Sequence, residues 1–218
     1  RGLGHIASLP HQVFTASITS VLIALASTVV CISMALGLSL AFARRGQVAR
    51  NLAEGMGILG LATSPLVVGT GIFLMIFPFA HPMTFALPIT ASVNAMMALP
   101  FALRVLMPAV RETYADYLML RNSLNVTRWV WLHRILLPRL RRPLGFAAGL
   151  AAALSMGDLG VIALFADPDL QTLPLMLYRL MGAYRMDQAA AVAVVLVAQS
   201  LALFWMFDRG GRGYAGSP

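Results

Sequence analysis

Asp158 is the one formal charge inside the apolar run from Phe146 to Ala166. A carboxylate at that depth in hydrocarbon is costly, so it must face a bundle interior or a wet cavity. Two readings follow: a station on the path of a cationic solute, or a hydrogen bonder between packed helices. Other reactive side chains form no catalytic set. The four histidines, His5, His11, His81 and His133, make no His-Glu-x-x-His pair, and no Gly-x-Ser-x-Gly elbow is present. Cys31 stands alone, which excludes an internal disulfide and argues against zinc held by cysteines. The chain has no lysine, hence no Walker A lysine or Schiff-base lysine. Any ATP, with its Mg, must therefore be bound by another chain. We expect no catalytic residue, metal site or cofactor here. Gly55-Met56-Gly57-Ile58-Leu59-Gly60 matches a dinucleotide-loop spacing, but it opens an apolar helix rather than following a strand, and reads as coincidence. The sequon Asn125-Val126-Thr127 falls on the side expected to be cytoplasmic and carries no meaning there.

The elements that must position Asp158 are membrane helices. Of the 218 residues, 59% are hydrophobic and 11% charged, with a mean hydropathy of +0.80. A soluble domain carries about a quarter charged residues. The net charge of +8 comes from arginines set between apolar runs, the pattern of bilayer flanks rather than of a nucleic-acid surface.

Crossing ~30 Å of hydrocarbon takes about 20 apolar residues. Val13–Ala43 supplies one span. Gly55–Leu103 supplies two, broken at Pro78-Phe79-Ala80-His81-Pro82, where prolines oppose continuous helix. Phe146–Ala166 is a fourth, and Gln188–Phe207, closed by Asp208-Arg209-Gly210-Gly211, a fifth. The expected architecture is all-α, a polytopic bundle of about five spans forming a single transmembrane domain over 1–218. The eleven arginines from Arg44 to Arg142, with Arg209 and Arg212, then share one side, against Arg1, Arg179 and Arg185 on the other. That bias puts the N-terminus outside and the C-terminus in the cytoplasm. A start at Arg1, facing outward without a signal peptide, suggests a piece of a longer polypeptide. Ser33, Gly37 and Ala41, and likewise Gly145 and Gly149, stand four apart, the spacing for close helix packing in lipid.

The segment 108–142 is too polar to span. Tyr114, Tyr117, Leu118, Arg121 and Leu124 recur at helical spacing, giving a short helix with one apolar face. Asn125 suits the left-handed conformation that ends a helix. Thr127 can cap a second helix, Arg128–Leu137, stopped by Pro138. Arg139, Arg141 and Arg142 follow, and could bind lipid phosphates at the interface. Beyond the fourth span, Leu173–Arg185 has the spacing of a lateral helix. Its Tyr178, Arg179, Tyr184 and Arg185 fit an aromatic belt or a docking surface.

Met119-Leu120-Arg121-Asn122-Ser123-Leu124-Asn125, with Trp129 and Ile135-Leu136-Leu137-Pro138, resembles the cytoplasmic loop of ABC importer permeases. Met119, Leu120 and Arg121 stand for that family's Glu-Ala-Ala, and Asn125 for its glycine. Asn94 to Val105, Ser155 to Phe165 and Thr172-Leu173-Pro174 are similar to the corresponding segments of thiamine permeases. The resemblance covers nearly the whole chain and makes it the C-terminal half of a two-half permease of the bacterial inner membrane. It implies partners: cytoplasmic ABC ATPase subunits, a periplasmic binding protein, the other permease half and membrane lipid, with no nucleic acid. It assigns the ATPase contact to Tyr117, Leu120, Arg121, Asn122, Ser123, Leu124, Asn125 and Arg128, with Pro138 fixing the return to the membrane. It sets Asn94 and Ser155 beside Asp158 as the expected pathway, and Tyr178, Arg179, Tyr184 and Arg185 as the expected docking surface of the binding protein. The implied function is import of thiamine or its phosphates. Iron(III) or another small solute is the alternative on the same fold, and a structural or assembly subunit the alternative of another class.

Overall fold

The computed structural model describes residues 11–43, 55, 63–79, 85–123, 127–165 and 171–212. Among them there is no strand. Helix α1 runs His11–Ala43, α2 Pro65–Ile76 and α3 Ala86–Ser123. A short segment follows, made of α4 (Arg128–Trp131), a π-helical turn Leu132–Leu136 and α5 (Leu137–Arg139). Then come α6 (Arg141–Met156), a 3-10 turn Ile162–Phe165, α7 (Leu173–Gly182) and α8 (Met186–Arg212).

Among the described residues three helices are long and apolar enough to cross a membrane: Gln12–Ala43, Ala86–Asp116 and Met186–Arg212. The chain is a multi-pass helix bundle. The other two expected spans are shorter. Helix α2 has 12 residues and α6 has 16, about 18 and 24 Å at 1.5 Å per residue. Pro65 occupies the first turn of α2, where its missing N–H costs nothing, and the chain leaves helix at Phe77. Much of the segment before α2, including most of the Gly55–Gly60 run, lies outside the described residues.

Three expectations need correction. Helix α6 ends at Met156, so the fourth apolar run is not one helix and Asp158 sits in the break that follows it. The helix expected around Tyr114–Leu124 is not separate: α3 runs unbroken through Pro100 and Pro108 to Ser123. Its 38 residues reach about 57 Å, well beyond a hydrocarbon core. Nor does Pro138 stop the next segment. It lies in the first turn of α5, and the chain turns at Leu140 instead.

Helices α1 and α3 run parallel, their contacts climbing from Ile23 with Ala91, through Cys31 and Ala35 with Ala98, to Leu40 with Val110 and Tyr114. Small residues allow this. Ala16, Ser20, Ala24, Ser27, Cys31 and Ala35 are all buried on α1. Helices α6 and α8 approach still closer. A Cβ on Gly145 would fall 2.6 Å from the Phe207 carbonyl oxygen, and one on Gly149 would fall 2.9 Å from that of Phe204. The pair therefore packs as small-residue helices do in lipid. Ser33, Gly37 and Ala41 behave differently. All three are exposed, and a Cβ on Gly37 would meet nothing within 4 Å.

Candidate functional site

The three expected pathway residues come together at the break after α6. Asn94, in the third turn of α3, donates from Nδ2 to Ser155 Oγ at 2.9 Å and lies 3.4 Å from the Ser155 carbonyl oxygen. Both residues are buried. Three residues on, the half-buried Asp158 carboxylate accepts the Gly160 N–H at 3.2 Å and the Val161 N–H as well. This is a carboxylate folding the chain back on itself, and it seats the 3-10 turn at Ile162. The structure thus gives Asp158 a local role in the turn while leaving it on a cavity wall.

Asn94, Ser155 and Asp158 line two spaces. One is a narrow, partly open gap with room for about one water, lined as well by Ser20, Ile23, Thr90, Ile162, Thr172 and Pro174. The second is an open cleft of about 800 Å³ including solvent, continued by Pro65, Met97, Phe101 and Leu154. Among the described residues no basic side chain lines either space, and Asp158 is the one acidic residue in each lining. Such a lining favours a cation or a hydrogen-bond donor over an anion.

Two residues beyond the expected set line the narrow gap. Ser20 Oγ accepts the Leu173 N–H at 2.9 Å across 153 positions, satisfying an end of α7 that has no side-chain cap of its own. Thr172 is buried with its hydroxyl unmatched by any hydrogen-bond partner. Thr172 belongs to a segment quoted for the family resemblance. Ser20 carries no sequence signal, because its partner is so distant in the chain.

At the far end of α3 a separate apolar knot holds the return segment. Tyr114 meets Trp131 edge to face, with ring centroids 4.9 Å apart and planes at 75°. Val110, Leu136 and Leu140 are buried with them, against Leu36 and Leu40 of α1. The Trp131 N–H bonds to the Thr127 carbonyl at 3.0 Å, so the second helix starts where the sequence placed it. Of the expected ATPase contacts, Tyr117 and Leu120 to Ser123 lie on the last two turns of α3 and Arg128 opens α4, while Leu124 and Asn125 lie outside the described residues. Trp131 was not among the expected residues. Its signal is the helical register that puts Val110 and Tyr114 on one face.

At the opposite end, α7 and α8 join in a tight turn. Tyr184 adopts φ 56°, with its N–H on Met181 O and the Arg185 N–H on Leu180 O. This is the usual helix-ending motif with tyrosine where glycine normally sits. Tyr178, Arg179, Tyr184 and Arg185 are all exposed, Tyr184 to 88%.

The chain matches no family model. Compared with individual proteins, it is 37% identical to the thiamine transport system permease protein ThiP of Escherichia coli (strain K12), over 88% of this chain and 36% of that protein. It is 38% identical to ThiP of Brucella abortus (strain 2308), over 83% of this chain and 33% of that one. Over most of its length the chain is similar to thiamine transport permeases. It spans about a third of the length of these relatives. Its fold is that of a chain in a crystal structure of an amino acid ABC transporter with histidines, at TM-score 0.64 and 15% identity, covering 91% of this chain and 93% of that one.

Proposed function

We propose that this chain is the C-terminal permease half of a binding-protein-dependent ABC importer for thiamine or its phosphates in the bacterial inner membrane. The observation that carries the reading is the 37% identity to a thiamine transport permease over 88% of the chain. The N-terminus of α1 faces the periplasm and the C-terminus of α8 the cytoplasm, because Arg139, Arg141, Arg142, Arg209 and Arg212 gather where α6 begins and α8 ends. With no lysine in the chain, cytoplasmic ATPase subunits bind ATP and Mg. They grip the projecting end of α3 and the residues that follow it, at Tyr117, Leu120 to Asn125 and Arg128. Their movement reaches the bundle through the Tyr114–Trp131 knot and the turn at Leu140.

Asn94, Ser155 and Asp158 line the translocation path. The carboxylate, with no basic group beside it among the described lining residues, suits the cationic ring of thiamine. The other permease half closes the open side of the cleft and packs on the exposed Ser33, Gly37 and Ala41 stripe of α1, where small residues allow close approach. A periplasmic binding protein docks on Tyr178, Arg179, Tyr184 and Arg185. The strained backbone of Tyr184 there is held at a cost that a purely structural turn would avoid with glycine.

The test reconstitutes the complete permease polypeptide with its ATPase and binding protein in lipid vesicles. ATP hydrolysis should rise with thiamine-loaded binding protein and stay basal with empty or iron(III)-loaded protein. Stimulation by another load would keep the importer and overturn the substrate. No stimulation by any load, with the complex intact, would leave an assembly subunit.

A further inference from the structure

A groove opens between α3, α6 and α8 at the end where the arginines gather. Val105, Pro143 and Phe146 form its apolar wall, and Arg142, Asp208 and Arg212 its polar mouth, around about 780 Å³ of space including solvent. Asp208 is spoken for: Arg212 holds it at 2.6 Å, with the Arg212 side chain 69% exposed and that of Asp208 14%. Arg142 is exposed too, so the mouth keeps an excess positive charge.

The groove's depth is fixed by its neighbours on α8. Arg209 stacks 5.0 Å over the Trp205 ring, and Trp205 is exposed, as is Leu201 one turn deeper. An exposed tryptophan followed by charged residues marks the level of the headgroups. Leu201, Trp205, Asp208 and Arg212 follow one helix face, so an apolar track leads up to the basic mouth. Phe146, partly exposed and edge-on to Phe204, flanks it. The walls are rigid, because Gly145 and Gly211 bring the α6 and α8 backbones into contact.

We propose that this groove is a binding site for an anionic phospholipid. The phosphodiester bridges Arg142 and Arg212, and one acyl chain lies along Phe146, Trp205 and Leu201. Charge complementarity supplies the phosphate contact. The apolar track distinguishes a lipid from a free phosphate, which would gain nothing from it.

The complete transporter, purified in neutral detergent, would be mixed with equal amounts of phosphatidylglycerol and phosphatidylcholine. Lipid retained by the intact complex would then be read by mass, and its thermal unfolding followed with each lipid alone. The wild type should retain phosphatidylglycerol preferentially. Arg142→Gln should cut that preference about fivefold, with unfolding in phosphatidylcholine unchanged. Arg212→Gln should cut it similarly. Undiminished preference in both variants would overturn the site. So would equal protection by inorganic phosphate, which would make the mouth a free-anion site. Loss of the complex in every lipid alike would also overturn it, making the groove a protein interface.

Discussion

Asn94 and Ser155, 61 positions apart, are joined by a buried hydrogen bond of 2.9 Å that pins α3 to the last turn of α6. Both residues line the narrow gap and the open cleft, so the bond stands between the two spaces. Ser155→Ala removes the acceptor and leaves a buried amide short of a partner, which costs about 1 kcal/mol. Thermal unfolding of the purified permease should show that modest loss. Thiamine uptake per folded molecule should fall further, severalfold, because the wall of the pathway is disturbed. Uptake that merely tracks the folded fraction would confine the bond to packing.

Asp158 carries a turn and a charge, and one substitution separates them. Asn keeps a carbonyl oxygen that can still accept the Gly160 and Val161 amides. Asp158→Asn should therefore assemble normally yet lower transport of a cationic substrate about tenfold or more, measured as uptake at equal protein. Normal uptake by that variant would reduce Asp158 to the turn.

Tyr184 offers the opposite separation. A tyrosine in the left-handed region costs about 1 kcal/mol relative to glycine. Tyr184→Gly should raise the unfolding temperature slightly. It should also weaken stimulation of ATP hydrolysis by the loaded binding protein, through loss of an exposed ring. Greater stability with undiminished stimulation would remove Tyr184 from the docking surface.

The two small-residue stripes should respond unequally. Gly145→Ala places a methyl 2.6 Å from the Phe207 carbonyl, which must move. The expected loss is about 1–3 kcal/mol, visible in thermal unfolding. Gly37→Ala meets nothing within 4 Å among the described residues and should leave the isolated bundle unharmed. Gly37→Leu should disrupt assembly only if another helix lies on that face, as gel filtration of the complete permease would show.

These stripes also show how much could be read from the sequence. Spacing identified both, but not which one the chain itself covers, because that depends on where α8 returns. The apolar runs announced a membrane bundle. The end of α6 was hidden, since Gly157 and Asp158 interrupt an apolar run by only two residues. The continuity of α3 was hidden as well: Pro100 and Pro108 argue for breaks, and only the neighbouring helices of a bundle make such prolines tolerable. Asp158 was legible as a lone charge in apolar sequence. Asn94 and Ser155 emerged only through resemblance, because a buried polar pair leaves no periodic trace.

The most direct test of the account is ATP-driven uptake of labelled thiamine into vesicles holding the complete permease, its ATPase and its binding protein. We predict accumulation that requires ATP and the binding protein and is abolished by excess unlabelled thiamine. ATP hydrolysis in an intact complex without any accumulation of thiamine would contradict it.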